Sequence, residues 1–209
     1  MSVMLPKSGK YMLTFMLIAI NVAVYAYTSI ISGDFVETNY DVILQYGQVN
    51  YYVMYQGMWW QLFTAMFVHA SIVHLAGNML FLLIFGLRAE EMFAVHEYLL
   101  IYLSSGLAGN LLSLLFGPDA PPSLGASGAI FGMFGAVAIY MRRSIGQSIM
   151  GALLYSFFLL AISMGADVNY LAHIGGLLVG LLIGYLLAVT RRPRSKPMHQ
   201  YRYSYSTRS

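Results

Sequence analysis

The chain has 209 residues, of which 59% are apolar and only 9% charged, with eleven Lys and Arg against eight Asp and Glu for a formal charge of +3. A water-facing surface needs far more charge, about a quarter of all residues in ordinary globular chains, so a soluble protein is excluded. There is no cysteine, which excludes disulfides, cysteine nucleophiles and zinc–thiolate sites.

The apolar residues fall in long runs, not in alternating strands, so helices are the elements that face lipid. The run 11–31 is long enough to span and lacks the small-residue end of a cleavable signal peptide. An acidic stretch with Asp34, Glu37 and Asp41 follows. Residues 42–61 are rich in Tyr and Trp (Tyr51, Tyr52, Tyr55, Trp59, Trp60) and read as an interfacial belt. Ser71 is an N-cap candidate, so the second helix is expected to start there and reach Leu87, leaving 62–70 as a partly inserted loop. The third helix is expected over 97–116. Pro118, Pro121 and Pro122 keep 117–125 out of helix. The fourth, fifth and sixth helices are expected over 127–141, 149–165 and 171–189. The expected organisation is a cytoplasmic N-terminus (1–10), an all-α integral membrane bundle of six helices (11–189), and a basic, disordered tail (190–209).

Charge sorting tests this layout. Six crossings put Lys7, Lys10, Arg88, Arg142, Arg143 and the six basic residues of the tail on one side, and Asp34, Glu37, Asp41, Asp119 and Asp167 on the other. The positive-inside rule makes the first side cytoplasmic, giving an N-in/C-in topology. The net positive charge is therefore a topology signal that meets the lipid bilayer, and no nucleic-acid partner is expected.

Polar residues at membrane depth are costly and need a reason. His74 and Asn78, spaced i, i+4, lie on one face of the second helix. Ser127 opens the fourth helix and His173 lies in the first turn of the sixth. In this topology all four sit at similar depth near the outer side. A fourth helix of fifteen residues spans only about 22 Å, so Ser127 is expected below the outer surface, reached by a loop lining a polar cavity. A neutral histidine can take a serine proton. The first N–H groups of the fourth helix, the Asn78 amide and the His74 ring can donate to an oxyanion. Gly125 and Gly128 are expected to leave room for a peptide to approach.

The run Gly125-Ala126-Ser127-Gly128-Ala129-Ile130-Phe131-Gly132 resembles the G-x-S-G motif of the rhomboid family. His69, His74 and Asn78 resemble that family's second-helix motif, and Ala172-His173 with Gly176 and Gly180 its sixth-helix motif. The resemblance covers about 11–189. It implies a six-helix intramembrane serine endopeptidase without cofactor or metal, whose partners are single-pass or multi-pass membrane proteins. It makes Ser127 nucleophile, His173 base, and His74 and Asn78, with Ser127, the oxyanion hole. Two positions depart from the commonest pattern: Gln61 stands where many relatives have arginine, and Phe131 where many have tyrosine. The expected setting is a prokaryotic cell membrane with the site opening to the extracytoplasmic side, substrate entering laterally between the second and fifth helices.

Rival readings exist for each residue. Ser127 can be a small residue at a helix crossing, and His173 a packing or proton-relay histidine. His69 reads as structural. Asp167 can orient His173 or be a loop charge, and Glu90 and Glu91 can bond in the bundle or pair with Arg88. Gly176, Gly180 and Gly184 form a small-residue stripe. The rival function is a catalytically silent rhomboid-like protein that binds membrane clients; retention of both Ser127 and His173 favours the protease.

Overall fold

The computed structural model describes residues 11–145 and 169–191. The expected fifth helix, Asp167, the N-terminal 1–10 and the tail beyond 191 lie outside them. Among the described residues the chain is helical, apart from two single β-bridges. The elements are α1 (Met12–Ser32), α2 (Tyr40–Tyr46), α3 (Asn50–Tyr55), α4 (Gln61–Thr64), α5 (Ile72–Met92), α6 (Val95–Ser113, continued by a 3-10 turn, Leu114–Phe116), α7 (Ser127–Ile145) and α8 (Tyr170–Thr190). Four helices are long and apolar enough to cross a membrane: α1, α5, α6 with its 3-10 turn, and α8. They present large apolar side chains outward, among them Phe15, Leu80, Leu100 and Leu178, as lipid-facing surfaces do. α7 is the enclosed one. It packs against α5, α6 and α8 and buries Ala129, Ile130, Met133 and Ala136.

Side-chain caps set the helix starts. Ser71 Oγ accepts from the His74 N–H at 3.1 Å, and Asn169 Oδ1 accepts from the Ala172 N–H at 3.0 Å, each satisfying a donor the helix cannot. α1 is capped by another helix. Glu90 on α5 accepts from the N–H groups of Leu13 at 2.8 Å and Thr14 at 3.0 Å, and from Thr14 Oγ1 at 2.5 Å. Arg88 pairs instead with Glu91, at 2.5 Å. At the same end Arg191 bonds Glu97, the Met92 carbonyl and the Tyr140 hydroxyl.

Two expected boundaries are corrected. α5 runs to Met92, past Leu87, because Arg88, Glu90 and Glu91 all find partners and the helix need not end to solvate them. α7 runs to Ile145, past Met141, carrying Arg142 and Arg143 in its last turn, where the helix dipole favours cations. At nineteen residues α7 spans about 28 Å, so shortness of the helix does not sink its first residue.

α7 and α8 meet at backbone distance. A Cβ on Gly176 or Gly180 would collide with the carbonyl oxygen of Gly128 or Gly132, and one on Gly184 would lie 2.5 Å from the Ala136 carbonyl oxygen. Only glycine fits there. Gly109 of α6 abuts the Ala172 carbonyl in the same way.

The segment 62–71, expected as a loop over 62–70, begins as the end of α4 and is threaded inward, with Leu62, Ala65, Met66, Val68 and His69 all buried. His69 Nδ1 donates to the Phe67 carbonyl at 3.2 Å. Thr38 fixes the segment by donating its hydroxyl to the His69 carbonyl at 2.7 Å and its N–H to the Ala70 carbonyl at 2.8 Å. Burial, reinforced by the nearby His74, holds the His69 imidazole from the ordinary 6.5 down to about 3.

Two predictions follow from this packing. Gly180→Ala should lower stability by about 1–3 kcal/mol, the usual overpacking cost, whereas Gly77→Ala, with open space at its Cβ, should be neutral or stabilising by up to about 1 kcal/mol; thermal melts in detergent compare them. For His69, the folded value lies below the unfolded one, so between 6.5 and about 3 the unfolded chain binds the extra proton and stability falls with falling pH. His69→Gln should make the fall in melting midpoint across that window shallower than in wild type.

Candidate active site

Ser127 is the first residue of α7 and His173 lies in the first turn of α8. The α7–α8 contact brings their side chains together, with His173 Nε2 2.8 Å from Ser127 Oγ. That is hydrogen-bond distance, and a neutral His173 with its proton on Nδ1 can accept from the serine hydroxyl. His173 is nearly buried. Its Nδ1 finds no partner among the described residues. The ring is oriented by Phe131, one turn beyond Ser127, which stacks on it with centroids 4.3 Å apart and an 18° tilt. The tyrosine hydroxyl absent at this position therefore leaves the aromatic support intact.

His74 and Asn78 face the loop that enters α7. His74 Nδ1 accepts from the Ala70 N–H at 3.4 Å, so the neutral ring carries its proton on Nε2. A Cβ built on Gly125 would stand 2.9 Å from that Nε2 and 3.8 Å from Asn78 Nδ2. Asn78 spends one amide hydrogen on the His74 carbonyl, at 2.9 Å, and keeps the other. The first helical bond of α7 runs from the Ile130 N–H to the Ala126 carbonyl, 3.0 Å. The N–H groups of Ser127, Gly128 and Ala129 precede it and belong to the unpaired first turn of a helix. The His74 ring, the Asn78 amide and the first N–H groups of α7 thus all lie at the loop that enters α7, with Gly125 standing against the His74 ring. Gly125 adds no donor, because its own N–H is bonded to the Ala65 carbonyl at 2.8 Å.

The two glycines of this loop pack closely against other elements. Gly125 has φ +115°, a conformation that favours glycine, and its side-chain face meets the His74 ring. The side-chain face of Gly128 meets the Ala172 carbonyl of α8 at 3.2 Å. Both spaces are used by the protein itself.

Gln61 braces the first loop with neutral bonds. It is fully buried, accepts from the Val49 N–H at 2.9 Å and donates to the Leu44 carbonyl at 2.8 Å. Other buried amides went unnoticed in the sequence. Gln48, Asn50 and Asn110 link the first loop, α6 and the loop before Ser127, and Asn21 is buried in α1. Single amides inside apolar or aromatic runs carry no spacing signal that would mark them. No group of three or more His, Cys, Asp or Glu suited to a metal occurs among the described residues.

A Rhomboid domain family model matches residues 56–190. The chain is similar to RHOMBOID-like protein 6, mitochondrial, of Arabidopsis thaliana, 42% identical over 134 residues, which make up 61% of this chain and 43% of that protein. It is 34% identical to Rhomboid protease GluP of Bacillus subtilis over 193 residues, 88% of this chain and 36% of the relative. It is also 34% identical to Putative rhomboid protease YdcA of the same bacterium over 143 residues, 66% of this chain and 72% of the relative. The chain thus spans less than half the length of the first two. The family match covers more than half of the chain and contains Ser127, His173, His74 and Asn78, and four of the chain's helices can span a bilayer: the chain is an integral membrane protein and belongs to the rhomboid family.

Proposed function

We propose that the chain is an intramembrane serine endopeptidase that cuts other membrane proteins in or near their transmembrane segments. The observation that carries this reading is the 2.8 Å contact between Ser127 Oγ and His173 Nε2 across two helices. His173 takes the hydroxyl proton as Ser127 attacks the scissile carbonyl, then returns it to the leaving amine. His74 Nε2–H, the free Asn78 N–H and the first N–H groups of α7 stabilise the oxyanion, with the α7 dipole adding favourable potential. No metal or cofactor enters the scheme.

The proposed topology is six crossings with both termini cytoplasmic and the site near the extracytoplasmic face. Its support is the distribution of charge on the bundle. Asp34, Glu37 and Asp119 in the loops and Asp41 in α2 lie at the Ser127 end, and Arg88, Arg142, Arg143 and Arg191 at the other. The relatives come from a bacterium and from a plant, so the reading extends to more than one kind of host membrane. Preferred substrates are transmembrane segments with small residues at the cut and Gly or Pro nearby, which unwind at lower cost.

Purified Ser127→Ala and His173→Ala should each abolish cleavage of a labelled single-pass membrane substrate, to about the same residual level because the pair acts as a unit. Wild-type-rate cleavage by Ser127→Ala would refute the assignment; a folded wild-type protein that captures but never cuts such substrates would favour the client-binding alternative. Asn78→Ala should reduce kcat by about 10²–10³ with little change in KM, the usual loss for one oxyanion donor. A rise in KM alone would move Asn78 to substrate binding.

A further inference from the structure

The loop 117–126 carries Gly125 to His74 and delivers the chain to Ser127, yet its anchors belong to the first loop. At its start, Asn50 Nδ2 donates to the carbonyls of Ser113 at 3.0 Å and Gly117 at 2.9 Å. In its middle, Ser123 forms an antiparallel bridge with Gln48, its N–H bonding the Gln48 carbonyl at 2.9 Å and its carbonyl accepting from the Gln48 N–H at 2.8 Å. At its end the Gly125 N–H reaches the Ala65 carbonyl. Gln48 is the hub. Its side chain is fully buried, and Nε2 lies 2.8 Å from Asn50 Oδ1, 2.9 Å from the Asn110 carbonyl and 2.7 Å from Ser113 Oγ. Its Oε1 has no partner among the described residues, so the amide is held through its N–H groups alone. One residue thereby joins the end of α6 to the loop that leads into α7.

We propose that Gln48 is a positioning residue for the reaction at Ser127: by fixing Ser123 to the end of α6, it sets where Gly125 and the first N–H groups of α7 stand relative to His74 and Asn78. The inference rests on the protease reading above. A shift of about 1 Å in reacting groups can cost about 10²-fold in rate. The oxyanion donors matter most in the transition state, so a displaced loop lowers kcat and leaves KM nearly as it was.

Gln48→Leu keeps similar bulk and the backbone bridge to Ser123 but removes the side-chain donor Nε2. Gln48→Glu keeps the shape, but an ionised carboxylate in place of Nε2 would face the Asn50 and Asn110 oxygens, whereas the protonated acid can still donate once. The groups that Nε2 meets, on Asn50, Asn110 and Ser113, do not titrate. Wild type, both variants and Ser127→Ala are compared for kcat and KM on a labelled transmembrane substrate over a range of pH, with thermal midpoints alongside. Gln48→Leu should lose roughly tenfold to a hundredfold in kcat with KM within about twofold and a folded bundle. The ratio of Gln48→Glu to wild-type kcat should rise as pH falls, a signature that simple loosening of the fold would not give. If Gln48→Leu does not fold, that ratio decides alone. Unchanged kcat in Gln48→Leu, or a pH-independent Gln48→Glu ratio, would overturn the inference. An inactive wild type, or an active Ser127→Ala, would overturn the protease reading itself and the inference with it.

Discussion

The contact on which the structure depends is the glycine-lined crossing of α7 and α8. Gly176, Gly180 and Gly184 of one helix admit the backbone carbonyls of Gly128, Gly132 and Ala136 of the other. In a bilayer, helices gain little from burying apolar surface, since lipid is as apolar as leucine. Close backbone packing and polar contacts must hold them instead. Such a crossing also fixes axial register, because sliding either helix by one residue would place a side chain against a carbonyl. Ser127 and His173 sit at the same end of these two helices, so the register that packs the glycines also sets the 2.8 Å contact between them. The rest of the proposed site inherits its geometry from this pair.

Around that pair the protein solves a second problem, which is to hold irregular backbone beside lipid. Every N–H and carbonyl in the loops must be satisfied by protein or by a water-filled cavity. Buried amides do much of this work. Asn50, Asn110, Gln48 and Gln61 each bond backbone carbonyls, and Gln61 also accepts from a backbone N–H. Neutral amides carry a smaller desolvation cost than a guanidinium would in the same place. A glutamine at 61 is thus a workable brace where a relative's arginine would need a counter-charge or a wet pocket.

Much of this was legible in the sequence because it was local or periodic. Long apolar runs marked the helices, Ser71 announced a cap that the structure contains, and the glycine stripe on α8 gave the close crossing. The motif residues Ser127, His173, His74 and Asn78 stood out because polar groups in apolar runs are rare. What escaped detection was non-local. Nothing in the sequence near Glu90 says that it will cap α1, far earlier in the chain, so the charges read as the end of the helix. Gln48 and Asn50 lie in an aromatic loop that looked interfacial, and only the fold reveals that they reach the end of α6. Gly125 and Gly128 read in the sequence as room for a peptide, and the ring and backbone that meet their side-chain faces come from other helices, which only the fold shows.

The surroundings of His173 bear on why two residues suffice in the proposed chemistry. A catalytic histidine must present one nitrogen to the nucleophile in the right tautomer and at the right angle. A carboxylate bonded to the other nitrogen does this in a triad, and it also stabilises the imidazolium that forms. Beside lipid, an extra buried carboxylate would bring its own desolvation penalty. Among the described residues, orientation comes from packing. Phe131 stacks along the imidazole face at 4.3 Å, and the helix crossing fixes where the ring begins. An aromatic face is negative by its quadrupole, so it attracts a developing imidazolium without itself needing solvation. Phenylalanine supplies that face as well as tyrosine does. The hydroxyl missing from this chain is thus the part of the aromatic residue that the proposed mechanism does not require.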